Sequence, residues 1–163
     1  MEQTPAWIEI ASDRDQDAVV ALFAEDLNDL RMPVDAVALR TVYSELVADP
    51  RAVMLVVRET AEAQACGVLV ASRVPSVKFG GWSLWIEELY VARRVRKLGL
   101  GRALVMRLLD VARTTKVRGI DLEAYHGNAP AALLYRSLGF RRLGRERFYY
   151  RLEWEQSPED SAV

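Results

Sequence analysis

Between Ala52 and Val91 the chain carries three strand-like runs in succession, AVMLVVRE, ACGVLVASRV and WSLWIEELYV, and the third leads through a basic stretch into a helix opened by Gly99 and Gly101. Apolar runs bounded by turn residues read as buried strands. A meander of this kind has to be covered by helices packed back on it. The flanking segments supply them. AWIEIA is a first strand, Asp13 opens a helix to about Leu30 with Val19, Val20, Leu22, Phe23 and Leu27 at helical spacing, and Val34 to Ala48 is a second helix ended by Asp49-Pro50. PSVKFGG reads as a loop. Beyond it lie the glycine-opened helix from about Gly99 to Thr115, the strand GIDLEAY, the short helix APAALLYRSL closed by Gly139, and a final strand RFYYRLE. This order predicts an α+β class with a mixed central sheet of about six to seven strands and helices on both faces.

A chain of 163 residues, 51% of them hydrophobic, is the size of one globular domain, expected over residues 1–154, with the acidic EQSPEDSAV at 155–163 as a disordered tail. Its one cysteine, Cys66, excludes a disulfide framework and a cysteine zinc site, which points to a reducing, cytoplasmic setting and no metal. MEQTPAWIEIASDRDQD is acidic and too weakly apolar for a signal peptide, and no run is long enough to span a membrane.

Charge is unevenly distributed. Glu2, Glu9, Asp13, Asp15, Asp17, Glu25, Asp26 and Asp29 crowd the first thirty residues, whereas Arg93, Arg94, Arg96, Lys97, Arg102, Arg107, Arg113, Lys116 and Arg118 crowd a later segment. The asymmetry suggests two ligand-facing regions of opposite sign. Nucleic acid is not the expected partner, because no aromatic-interleaved basic face accompanies the arginines.

A strand ending at Val91, a basic loop, and glycines at 99 and 101 at a helix start form a phosphate site: glycine admits close approach, the free N–H groups point outward, and the helix dipole favours an anion. A dinucleotide fingerprint lacks its third glycine, since Leu104 stands there, and a P-loop lacks Gly-Lys-Ser/Thr. Coenzyme A remains a candidate, as does an ordinary strand-to-helix turn.

RKLGLGRAL, residues 96–104, resembles the Arg/Gln-x-x-Gly-x-Gly/Ala acetyl-CoA signature of the GNAT superfamily of N-acyltransferases, and NAPAALLYRSLGF resembles its second signature at Asn128, Ala131, Leu134, Tyr135, Gly139 and Phe140. The resemblance spans roughly residues 6 to 153. It implies a sheet with an antiparallel meander and a splayed parallel pair, and acetyl-CoA as the cofactor. It further implies a pyrophosphate cradle at Leu98, Gly99, Leu100, Gly101 and Arg102, with Arg96 and Lys97 beside it. The backbone of Leu89, Tyr90 and Val91 would pair with the pantetheine arm, the Leu89 N–H would face the acetyl carbonyl, and Asn128 and Ala131 would line the cofactor.

Amine acylation needs a neutral amine, an oxyanion donor and a proton for the departing thiolate. Tyr135 lies seven residues after Asn128, so both share one helix face. The resemblance makes Tyr135 the general acid. Glu87 and Glu88 are adjacent carboxylates in an apolar strand and should point to opposite faces. The matching EELYV pattern, prominent in diamine acetyltransferases, implies Glu87 as base and Glu88 as a substrate residue. Glu25 and Asp26 on the first helix are further candidates for holding a cationic amine, with Asp29 at its exit. His126 is a weaker candidate for proton relay, and Trp82, Trp85 and Tyr90 divide between core and pocket lining. The activity expected is acetyl transfer to a small cationic amine. The alternatives are a protein N-terminus or lysine as acceptor, or a module that binds coenzyme A without catalysis. Acceptor specificity is expected in the first helices and the PSVKFGG loop, and a homodimer through the final strand is one option.

Overall fold

A computed structural model describes residues 7–125 and 127–144. The elements run β1 (Trp7–Ile10), α1 (Gln16–Asp29), α2 (Ala36–Ala48), β2 (Ala52–Arg58), β3 (Gly67–Ser76), β4 (Gly81–Val91), α3 (Leu100–Thr114), β5 (Ile120–Leu122) and α4 (Ala129–Ser137), with single 3-10 turns at Asp13–Asp15 and Arg93–Val95. The strands form one sheet in the order β1-β2-β3-β4-β5; the first four are antiparallel and β5 is parallel to β4. Five strands are found among the described residues, fewer than the six to seven expected. The final strand expected at RFYYRLE, the acidic tail and His126 lie outside the described residues.

Both faces of the sheet are covered. Leu55, Val56 and Val57 are consecutive and fully buried, as are Val68 and Leu69, and consecutive strand residues point to opposite sides. The two short helices α1 and α2 pack on each other and against β2, β3 and β4, while α3 lies across β1 to β4. The α3 stripe of Leu100, Leu104, Val105, Leu108 and Ala112 is what it buries. Leu104, Val105 and Leu108 have no exposure at all, each contributing roughly 1.5–3 kcal/mol.

Helix starts follow local chemistry, with one difference from expectation. Asp35 caps α2 by accepting from the N–H groups of Val37 and Ala38 at 3.0 and 3.1 Å. At α1 the working carboxylate is Asp15 rather than Asp13: its Oδ2 accepts the Ser12 N–H at 3.0 Å, and its Oδ1 pairs with the Arg58 guanidinium of β2. Both side chains of that ion pair are almost wholly buried, and Arg58 also donates to the Ala63 carbonyl. PSVKFGG contracts to a tight hairpin, because β3 runs to Ser76 and β4 starts at Gly81. Its turn is clasped to the start of β5: the Phe79 ring lies where a Cβ on Gly119 would stand, and Lys78 pairs with Asp121.

The β3–β4 register carries the main irregularity. Val70 stands opposite Glu88 and Ala71 opposite Ile86, so Glu87 is an extra residue in β4, a β-bulge. Residues opposite one another share a face. Ile86 and Glu88 thus face opposite sides although two residues apart, and Leu84, Ile86, Leu89 and Val91 line one face across a three-residue step. The β4–β5 ladder ends at Ile86–Leu122, immediately before the bulge. GIDLEAY is therefore strand only over Ile120–Leu122, since beyond Leu122 β4 no longer offers a partner edge.

Removing the acid from the buried pair leaves the Arg58 charge without its partner. Asp15→Ala is expected to lower unfolding stability in urea by about 3–5 kcal/mol, and a loss under about 1 kcal/mol would show that the pair does not hold α1 to β2.

Candidate active site

The open end of β4 is where the expected site residues converge. The Ala92 N–H donates to the Cys66 carbonyl, so by antiparallel alternation Glu88 and Tyr90 exchange backbone bonds with β3, and Leu89 and Val91 turn theirs toward the side that β5 has left. Two side-chain contacts fall on that side. The Leu89 N–H donates to Glu88 Oε1 at 3.1 Å, and the Val91 carbonyl accepts from Arg96 Nε at 2.9 Å. The bulge at Glu87 lies two residues before Leu89.

The first turn of α3 adjoins this edge. Gly99 is its N-cap at φ 81°, Lys97 is left-handed at φ 66°, and no side chain caps the helix. The N–H groups of Leu100, Gly101 and Arg102 therefore carry the positive end of the dipole outward. A Cβ on Gly101 would stand 3.8 Å from both Val91 Cγ2 and Leu134 Cδ2, so the helix start lies beside both β4 and α4. Lys97 and Leu98 are exposed next to the turn. Arg102 reaches Ser137 Oγ on α4 at 2.7 Å.

The acids of α1 divide into two roles. Asp29 accepts from Tyr90 Oη at 3.0 Å, from Arg93, and from Arg96 at 3.3 Å, and the Arg93 pair above all holds its carboxyl below the usual range. Glu25 accepts the Arg93 N–H at 3.3 Å. Glu25 and Asp29 of the acidic helix and Arg93 and Arg96 of the basic turn therefore neutralise each other here. Arg96, expected to hold the cofactor, has its guanidinium on Asp29 and Val91 and lies 5.0 Å from the Tyr90 ring centre. Asp29 is thus a latch on the basic turn rather than the acceptor-side group the sequence suggests, a role whose sequence signal is limited to the opposite charge of the two segments.

Asp26 faces the bulge instead. Its carboxyl lies beside that of Glu88, and burial together with the charge of Asp29 raises its titration. Burial first, then the charge of Asp26, pushes the Glu88 carboxyl up to about 7. Glu87 is exposed on the bulge. Tyr135 stands on α4, edge-on to Phe140 at 5.8 Å, and burial plus the charge of Glu88 pushes its hydroxyl up to about 12. Asn128 caps α4 by accepting the Ala131 N–H at 3.2 Å, so these two expected cofactor residues are engaged with each other. Tyr90 is buried, whereas Trp82 is 42% exposed with Arg73 stacked on it at 4.6 Å. The PSVKFGG hairpin lies at the far end of β4 from the bulge, roughly 20 Å away at strand rise, and so does not border this site.

Residues 13–140 match the model of the acetyltransferase (GNAT) family. The chain belongs to that family. It is 36% identical over 86 residues to the N-alpha-acetyltransferase RimI of Mycobacterium tuberculosis (strain ATCC 25618 / H37Rv), a match covering 53% of this chain and 49% of that protein. It is 35% identical over 77 residues to streptothricin acetyltransferase of Streptomyces lavendulae, covering 46% and 41%. The matched segments thus span about half the length of these curated relatives or less. In fold it is similar to a possible acetyltransferase from Clostridium difficile 630, with a TM-score of 0.78 at 19% identity, over 91% of this chain and 99% of that one. GNAT acetyltransferases use acetyl-CoA, and the uncapped first turn of α3 beside an open β4 edge fits its diphosphate and its amide-bearing arm. No helix among the described residues is long and apolar enough to cross a membrane.

The raised Glu88 carboxyl has a consequence for stability. Folded protein keeps its proton to about pH 7 while the unfolded chain releases it near the ordinary value, so stability falls as pH rises across that window and stays reduced above it. Glu88→Gln is expected to raise the urea midpoint at about pH 8 and to leave it unchanged at about pH 4. An equal shift at both pH values would mean that the carboxyl is not strained by its charge.

Proposed function

We propose that the chain transfers the acetyl group of acetyl-CoA to a primary amine, and that the acceptor is a small cationic amine. The observation that carries this reading is the convergence of β4's unpaired edge at Leu89 and Val91 with the uncapped start of α3 and with Tyr135 on α4. Acetyl-CoA, when bound, supplies an activated thioester and a diphosphate. The N–H groups of Leu100, Gly101 and Arg102, with Lys97 beside them, offer the diphosphate a positive end. Val91 and Leu89 offer backbone groups to an amide-bearing arm as an added strand would use them, and the Leu89 N–H is the donor available to an acyl oxygen.

Proton handling falls to three side chains. The Tyr135 hydroxyl, pushed up to about 12, remains protonated through the neutral range and has a proton to give. Glu87, exposed on the bulge, is the carboxylate an ammonium reaches from solvent, and it takes the acceptor's proton. Asp26 behind it, joined by Glu88 once that group ionises above about pH 7, adds negative charge, which favours a cation over a neutral or anionic acceptor. A second reading, a protein N-terminal amine as acceptor, rests on the similarity to RimI. The acid cluster at the bulge favours the small cation.

Thiol release from acetyl-CoA, measured against polyamines, aminoglycosides, amino acids and short peptides, separates these readings. A cationic amine is expected to drive release, Tyr135→Phe to lower kcat by about 10²-fold, and Glu87→Gln to remove the rising limb of the pH-rate profile. Release driven by peptides alone would select the second reading. Binding of acetyl-CoA with no release by any amine, or full turnover by Tyr135→Phe, would sink the catalytic assignment.

A further inference from the structure

Of the backbone groups that Leu89 and Val91 turn to the open edge of β4, the Leu89 N–H and the Val91 carbonyl are held by side chains of the chain itself. Glu88 occupies the Leu89 N–H at 3.1 Å and Arg96 the Val91 carbonyl at 2.9 Å. Each of these side chains is tied to the same helix. The Glu88 carboxyl lies beside that of Asp26, whose charge it feels, and Arg96 pairs with Asp29 at 3.3 Å. Asp26 and Asp29 stand three residues apart in α1 and so lie on one face. A carboxylate on the amide and a guanidinium on the carbonyl supply the acceptor and donor that an added strand would bring.

We propose that Glu88 is a displaceable internal ligand of the Leu89 amide: an acyl-thioester carbonyl takes that N–H only when the Glu88 carboxylate releases it, and the released group takes up a proton and bonds Asp26. The inference rests on the reading of Leu89 as the acyl-oxygen donor given above. One amide N–H cannot make a full bond to both acceptors. An ionised carboxylate competes for it better than a neutral carboxyl does, because charge-assisted bonds are stronger.

The groups around Glu88 give the direction of the linkage. From α1 it faces Asp26, which is itself beside Asp29 and Arg96; its strand neighbour is Glu87; from α4 comes Tyr135. The Leu89 N–H is the contact that lowers the Glu88 titration against burial and two like charges. Losing that donor raises it further. Acyl-thioester binding is therefore accompanied by proton uptake and weakens as pH rises through neutrality. Coenzyme A has the same phosphates but no acyl carbonyl, so it does not compete for the Leu89 N–H.

The test is the ratio of dissociation constants, acetyl-CoA over coenzyme A, measured calorimetrically with the full chain. It is expected to rise by about fivefold between about pH 6 and about pH 8. Glu88→Gln should abolish the rise, and Asp26→Asn, which removes a like charge, should move it to lower pH. A ratio that ignores pH in the native chain overturns the inference while leaving the acyltransferase reading standing. So does a rise that survives Glu88→Gln, or one that Asp26→Asn leaves in place. If neither ligand binds, the acyltransferase reading falls and this inference with it.

Discussion

One extra residue in β4 sets the geometry on which the rest of the site depends. With Glu87 inserted opposite the Val70–Ala71 step, the strand changes parity, so Glu88 and Tyr90 meet Asp26 and Asp29 of α1 while Leu89 and Val91 stay with Ile86 on the other face. The same irregularity coincides with the end of the β4–β5 ladder. A regular strand would have placed Glu88 on the face of Leu84 and Ile86. There its carboxylate would have met apolar neighbours, without the α1 partner it now has.

Oppositely charged segments, far apart in the chain, complete the arrangement. The Asp29 carboxylate joins Tyr90, Arg93 and Arg96 and thereby fixes the path between β4 and α3. That path aims the first turn of α3 at the open edge. Three charge-assisted contacts on one carboxylate outweigh a single exposed pair, because each further partner is held at little added entropic cost. The basic residues not engaged by α1, such as Lys97, are the ones available to an anion.

Much of the fold was legible in linear order. The apolar runs of β2 and β3, the α3 stripe from Leu100 to Ala112, and the glycine at the α3 start all follow from periodicity and turn chemistry. The bulge also left a trace, which went unread: Leu84, Ile86, Leu89 and Val91 keep an apolar face only if one residue is inserted between Ile86 and Leu89. The pairing of Glu25 and Asp29 with Arg93 and Arg96 left composition alone as its signal, and composition does not distinguish charges that meet a ligand from charges that meet each other. Asp13 and Asp15 compete for the same helix start in sequence. The buried Arg58 across the sheet selects Asp15.

What the sequence by itself determined is the order of elements, the faces they bury, and the two signatures around Gly99 and Tyr135 that assign the family, because these depend on spacing along the chain. What only the tertiary structure decided is which of two adjacent glutamates turns inward, where β5 stops pairing, and which acids of α1 hold the basic turn. These outcomes depend on register between strands and on charges sixty residues or so apart being brought within hydrogen-bond distance. A one-residue change of register inverts a face, and no local pattern around Glu88 carries the position of its partner on α1.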